Sequence, residues 1–71
     1  MEKFGEKLRT LRTQQGLTMQ QLVDGLGIRS TGYIADLEQG NKKPSTTILL
    51  KISHFFGVSA DVLLNDGMEL D

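Results

Sequence analysis

The stretch LTMQQLVDGLGIRSTGYIADLEQG, residues 17–40, decides the fold of this chain of 71 residues. Thr18 and Gln21 have the spacing of a capping box, in which two side chains bond each other's backbone amides at the start of a helix. The apolar positions that follow repeat at helical spacing and comprise Met19, Leu22, Val23 and Leu26. Because Gly27 is a natural helix stop, this pattern predicts a helix of barely two turns over residues 19–26.

A second short helix follows the turn residues IRSTG. Ser30 or Thr31 is its expected cap, and the helix is predicted over residues 31–39. Helices of this length are marginal on their own, so the two must pack together, with Val23 and Ile34 at their crossing. Two short helices joined by a tight turn that contains glycine form a helix-turn-helix arrangement.

Three further helices surround this pair in the predicted fold. An apolar repeat from Phe4 predicts a helix over residues 3–15, and Ser45 and Ser59 are expected to cap the last two helices. The expected buried stripe of the fourth helix comprises Ile48, Leu49, Ile52, Phe55 and Phe56. Because no segment alternates as a strand does, the fold class is all-α. The prediction is a compact bundle of five helices over about 3–15, 19–26, 31–39, 46–56 and 60–64.

The composition indicates one small domain. We expect this domain over residues 1–65, followed by a short acidic tail over residues 66–71. The chain has no cysteine and no apolar run near the length of a membrane span, which favours a cytoplasmic protein with no membrane contact. The net charge is −1, but residues 1–51 carry an excess of three positive charges, and residues 52–71 carry four acids without Lys or Arg. This polarity permits binding to a polyanion without establishing it.

The residue pattern offers no support for a catalytic, cofactor-binding or metal site. The chain has one histidine, no cysteine, and no glycine-rich phosphate loop after a strand. His54 is expected in packing or at the surface, because it has no second ligand at metal spacing. We therefore expect a protein that is not an enzyme and that needs neither cofactor nor metal.

The order of these motifs resembles a known family. The strings that carry the resemblance are RTQQGLTMQQL, LG, YIADLEQGNKKPS and LLKISHFFGVSADVLL, within residues 4–65. They are similar to the phage-repressor and Cro type of helix-turn-helix domain, also called the XRE family. The resemblance implies a sequence-specific transcriptional regulator that binds double-stranded DNA with its third helix in the major groove. It further implies a repressor that acts as a homodimer on a pseudo-palindromic operator.

The resemblance also implies a set of DNA contacts. The expected base contacts are Ser30, Thr31, Gly32 and Asp36. The expected phosphate contacts are Arg29, Tyr33, Gln39, Asn41, Lys42 and Lys43. Lys42 and Lys43 suit this role on general grounds, since paired charges on an exposed loop are attracted to the DNA backbone, although a merely solvated turn is the alternative. Arg12 and Glu38 are expected to form a structural ion pair that orients the third helix.

Several of these roles stay open at the level of sequence. The turn has one residue more than in many family members, so Arg29 or Ser30 competes with Thr31 and Gly32 for contact roles. Asp36 either accepts a hydrogen bond from cytosine N4 or is a bystander or salt-bridged residue. Tyr33 either contacts the backbone of DNA or packs between helices.

The expected dimer interface lies on the fifth helix and the tail, and comprises Val62, Leu64, Met68 and Leu70. Two other classes of function compete with a plain repressor. One is the antitoxin of a toxin–antitoxin pair, whose acidic tail would contact a basic toxin. The other is a restriction-modification controller protein, which shares the expected fold and size.

Overall fold

Five α-helices make up the regular structure of residues 3–70, which the computed structural model describes. Their bounds are α1 Phe4–Gln14, α2 Met19–Leu26, α3 Thr31–Gln39, α4 Thr46–Phe56 and α5 Ala60–Leu64. These bounds confirm the predicted all-α bundle, and only α1 is one residue shorter at each end than expected. Met1, Glu2 and Asp71, which the predicted domain, tail and charge balance include, lie outside the described residues.

Hydroxyl side chains start four of the helices, as the sequence predicts. At α2, Thr18 accepts a hydrogen bond from the amide of Gln21, whose side chain accepts one from the Thr18 amide at 2.9 Å, so the capping box is complete. Ser30, and not Thr31, is the cap of α3, since its Oγ accepts from the Tyr33 amide. The corresponding caps of α4 and α5 are Ser45 and Ser59.

The turn between α2 and α3 requires a glycine at its first position. Gly27 has a φ of 70°, in the left-handed region that side chains with a Cβ adopt at a cost. The amide of Ile28 then donates to the carbonyl of Val23 at 3.1 Å, and Ile28 packs partly buried against the core. Four residues, 27–30, thus connect the two helices, and α3 packs against α2.

The core draws on all five helices. Its buried apolar members are Phe4, Leu8, Leu11, Leu22, Val23, Leu26, Ile34, Leu37, Leu49, Ile52 and Leu63. Helix α3 contributes Ile34 and Leu37 and packs against both α1 and α2. Within residues 3–70, no helix is long and apolar enough to cross a membrane.

The expected buried stripe of α4 is wrong at Phe55, and two other members, Ile48 and Phe56, are only partly buried. Phe55 is 37% exposed, because its ring lies over Gly25 of α2 at the edge of the core rather than inside it. Its ring also meets the ring of Phe56 edge to face, with 4.9 Å between centroids. The neighbouring exposed apolar residue, Leu50, lines the same surface groove as Phe55.

A buried lysine joins the first helix to the last. The Nζ atom of Lys7 donates to the carbonyl oxygens of Val62, Asn65 and Met68 at 2.6, 2.8 and 2.7 Å. Near it, the backbone amide of Lys3 donates to Oδ1 of Asp66 at 2.9 Å. Residues 66–70 of the predicted acidic tail therefore lie against α1.

Candidate nucleic-acid interface

The start of α3 presents a small, accessible surface. Ser30, Thr31 and Gly32 are all exposed, and they lie at the end of the helix where unpaired backbone amides give a partial positive charge. Arg29 is exposed in the turn just before them. This end of α3 can therefore approach a polyanion closely, and its side chains are small enough to let the helix backbone come near.

An ion pair between α1 and α3 fixes the other end of the helix. Arg12 Nε and Nη2 donate to the two carboxylate oxygens of Glu38 at 2.7 and 3.1 Å. Both side chains are largely buried, with 12% of Arg12 and 4% of Glu38 exposed. The hydrogen bond that Arg12 donates to Glu38 raises the pKa of Arg12 above its ordinary value, against the smaller, opposite effect of burial.

The same arginine also holds the loop before α2. Its Nη1 donates to the carbonyl of Leu17 at 2.9 Å, one residue before the cap of α2. One guanidinium thus connects α1, the approach to α2 and the end of α3. The relative orientation of the two helices of the motif follows from this arrangement.

The loop after α3 carries exposed cations. Asn41, Lys42 and Lys43 are all exposed. The amides of Asn41 and Lys42 donate to the carbonyl of Asp36 at 2.9 and 3.4 Å, so the loop stays close to the end of α3. Asn41 Nδ2 also donates to Gln39 Oε1 at 3.2 Å. Together with Tyr33, whose ring lies beside Lys42, the structure therefore brings together five of the six predicted phosphate contacts.

Asp36 and Lys42 form a pair on the outer side of α3. Lys42 Nζ lies 3.6 Å from Asp36 Oδ2 and 5.9 Å from the centroid of the Tyr33 ring. This salt bridge is one of the roles that the sequence left open for Asp36, and its role toward DNA stays a prediction. Tyr33 and Asp36 are three residues apart and share a helix face. The sequence pattern did not predict that both would lie close to Lys42.

The predicted dimer residues differ in exposure. Met68 is 41% exposed, whereas Leu64 and Leu70 are partly buried against the core and Val62 is half-buried.

The sequence analysis did not predict the groove between α2 and α4, which has a volume of about 520 Å³. Its lining residues are Gly25, Leu26, Thr47, Leu50, Lys51, His54 and Phe55. The sequence analysis also missed the buried role of Lys7. Its position could have indicated this role, because Lys7 lies on the apolar face of α1 beside Phe4 and Leu8.

Comparison with known proteins identifies the family. The model of a helix-turn-helix domain matches residues 5–66. This chain belongs to the helix-turn-helix family. Its membership confirms the resemblance seen in the sequence, and the matched range contains α2, α3 and the ion pair that braces them.

Relatives in the helix-turn-helix family include phage-related regulators. The SPbeta prophage-derived HTH-type transcriptional regulator YonR of Bacillus subtilis is 43% identical over 61 residues, which is 86% of this chain and 56% of YonR. The transcriptional repressor RstR of the cryptic phage CTXphi in Vibrio cholerae is 30% identical over 63 residues, which is 89% of this chain and 56% of RstR. The chain thus spans about half the length of these relatives.

The match to one solved structure covers a larger share of the matched protein than the matches to YonR and RstR do. The restriction-modification controller protein C.AhdI from Aeromonas hydrophila is 30% identical and superposes with a TM-score of 0.77. The match covers 89% of this chain and 94% of the C.AhdI chain. It confirms the all-helical fold.

Proposed function

We propose that this helix-turn-helix domain binds double-stranded DNA as a sequence-specific transcriptional regulator in the cytoplasm, and that it is not an enzyme. The observation that carries the proposal is the joint presentation of the exposed start of α3 and the basic loop after it, on a helix braced by Arg12 and Glu38. Helix-turn-helix proteins place this second helix of the motif in the major groove. The names of YonR and RstR agree with this role.

The proposed contacts divide by their position along α3. Residues at its start and middle face the base edges: Ser30, Thr31, Gly32 and Asp36. The proposed phosphate contacts lie in the turn before α3, within α3 itself and in the loop after it: Arg29, Tyr33, Gln39, Asn41, Lys42 and Lys43. Charged and polar contacts to phosphates fix the register of a protein on the duplex, and base contacts supply its specificity.

The test begins with a duplex enriched from a randomised pool by the wild-type protein, whose affinity is then measured over a range of salt concentrations. Replacing Lys42 and Lys43 together by alanine should weaken binding to this duplex and lower the slope of log K against log salt by about two, because each lost phosphate contact lowers it by about 0.9. Lys51→Ala removes another exposed cation, from α4, and is the matched control. An unchanged slope in the double variant would show that the loop does not face the backbone.

We further propose a repressor that acts as a homodimer on two half-sites about 34 Å apart. Repression by simple occlusion needs only the DNA-binding surface, and RstR is named a repressor. Two copies are needed because one helix in one major groove covers too few base pairs for tight, specific binding. The proposed interface is the surface of α5 and the tail that carries Val62, Leu64, Met68 and Leu70.

Sedimentation equilibrium tests this dimer. Met68→Glu should shift the protein toward monomer, because a carboxylate in an apolar interface loses its hydration. Leu50→Glu is the matched control, since Leu50 is exposed to a similar degree, 48% against 41%, on α4. If Leu50→Glu alone dissociates the dimer, the interface lies at the groove between α2 and α4, and a wild-type monomer at high micromolar concentration would exclude both surfaces.

A second candidate function is control of a restriction-modification system. The nearly complete coverage of the C.AhdI chain favours it. The two functions share the same DNA interface and differ in what is regulated. Sequencing the adjoining genes separates them, since a methyltransferase and an endonuclease beside this gene would support the controller and phage genes would support the phage repressor.

A further inference from the structure

The pair formed by Asp36 and Lys42 places an acid on a surface that is proposed to meet DNA. A carboxylate facing a major groove is repelled by the phosphates on either side. In the free chain this charge is balanced by Lys42, at 3.6 Å from Asp36 Oδ2. Lys42 is itself a proposed phosphate contact. Asp36 and the DNA backbone therefore compete for the same ammonium group.

We infer that Asp36 is a specificity-determining residue that suppresses binding to non-cognate DNA by withholding Lys42 from the phosphates. On the cognate site, Asp36 gains a hydrogen bond from the N4 amino group of a cytosine, and Lys42 is released to a phosphate. This inference rests on the proposed DNA-binding function. It assigns the acid a role that neither a plain base contact nor a plain salt bridge describes.

The geometry suits such an exchange of partners. The pair is exposed, with 59% of the Lys42 side chain and 37% of the Asp36 side chain accessible, and exposed pairs are weak enough to be given up for a better partner. A separation of 3.6 Å also exceeds that of a direct charged hydrogen bond. The ammonium can therefore leave without breaking a tightly held contact.

The backbone keeps both partners in place while the ammonium moves. The Lys42 amide donates to the Asp36 carbonyl at 3.4 Å, and the Asn41 amide donates to the same oxygen at 2.9 Å. The Tyr33 ring lies beneath the ammonium at 5.9 Å, where the ring face attracts a cation. Only the flexible stem of Lys42 has to swing for it to pass from the carboxylate to a phosphate.

On non-cognate DNA the exchange is incomplete, because no base donor replaces Lys42. Either Lys42 stays with Asp36 and one phosphate contact is lost, or Lys42 moves and leaves an unpaired carboxylate near the backbone. Both states bind more weakly than a chain without the acid. The contribution of Lys42 to the salt dependence should therefore differ between cognate and non-cognate duplexes.

The experiment compares wild type, Asp36→Asn, Lys42→Ala and the variant with both changes, on the enriched duplex and on a scrambled duplex of equal length. On the scrambled duplex, Asp36→Asn should bind about 3- to 10-fold more tightly, with a slope of log K against log salt steeper by about one. The steepening should vanish when Lys42→Ala is added. On the enriched duplex, Asp36→Asn should bind less tightly and shift the preference at one position from cytosine toward adenine.

Glu6→Gln is the control, since it removes the same charge from an exposed position on α1 and should leave the slope unchanged. Circular dichroism verifies that each variant is folded. If wild type binds DNA but Asp36→Asn has the wild-type slope on the scrambled duplex, the inference is overturned and the proposed function stands. If wild type enriches no duplex and binds neither probe, both are overturned.

Discussion

Replacing Arg12 by methionine is expected to destabilise the domain by about 3 to 5 kcal/mol, the cost of leaving one member of a buried ion pair alone. The Glu38 carboxyl group, whose side chain is 4% exposed, would then have lost both guanidinium donors. The carbonyl of Leu17 would lose its donor as well. Since small domains are stable by about 5 to 15 kcal/mol, urea unfolding should show a large loss or no folded baseline.

The pair itself is tested by removing both charges. The double variant Arg12→Met with Glu38→Leu should regain most of the lost stability, because an apolar pair of similar volume replaces the buried charges. Glu38→Gln alone should resemble Arg12→Met, since it leaves the guanidinium without its counter-charge. Equal stability of wild type and Arg12→Met would mean that the pair does not hold α3 in place.

Replacing Gly5 by alanine is expected to cost about 2 to 3 kcal/mol through overpacking. A Cβ at this position would overlap the carbonyl oxygens of Leu37 and Glu38 and lie 2.9 Å from the carbonyl carbon of Glu38. These are backbone atoms, which cannot swing aside as the end of a side chain can. Helices α1 and α3 would have to separate, and thermal unfolding should report the loss.

Gly32→Ala is the matched control for Gly5→Ala. Gly32 is also helical, but the nearest atom to an added Cβ is Ser30 Oγ at 3.4 Å, an ordinary contact. Alanine at such a position should stabilise the domain by about 0.4 to 1 kcal/mol. If both variants lose the same amount of stability, the close approach of α1 and α3 is not the cause.

The features that were predictable from sequence depend on neighbours along the chain. Thr18 with Gln21, and the serines that start the later helices, act within one helical turn, so the helix bounds follow from local pattern. Gly27 marks the end of α2 for the same reason. The fit of the helix-turn-helix family to nearly the whole chain rests on this local order.

The features that were not predictable depend on how helices meet. Phe55 has the spacing of a buried residue, but its exposure is set by Gly25 on another helix. The hydrogen bonds from Lys7 to carbonyl oxygens of α5 and the tail connect residues that are separated by 55 to 61 positions in the sequence. In the same way, Lys42 reaches Asp36 only because the loop folds back over the end of α3. Periodicity within one helix contains no information about such contacts.

The hydrogen bonds around Lys3 and Lys7 have a consequence for the order in which the chain becomes structured during translation. Among the five helices, α1 alone starts without a side-chain cap of its own, and the Lys3 amide is instead satisfied by Asp66, 63 positions later. Translation produces α1 before Asp66, which accepts the hydrogen bond from the Lys3 amide. The hydrogen bonds that Lys7 donates to Val62, Asn65 and Met68 can therefore form only after residues 62–68 have been synthesised.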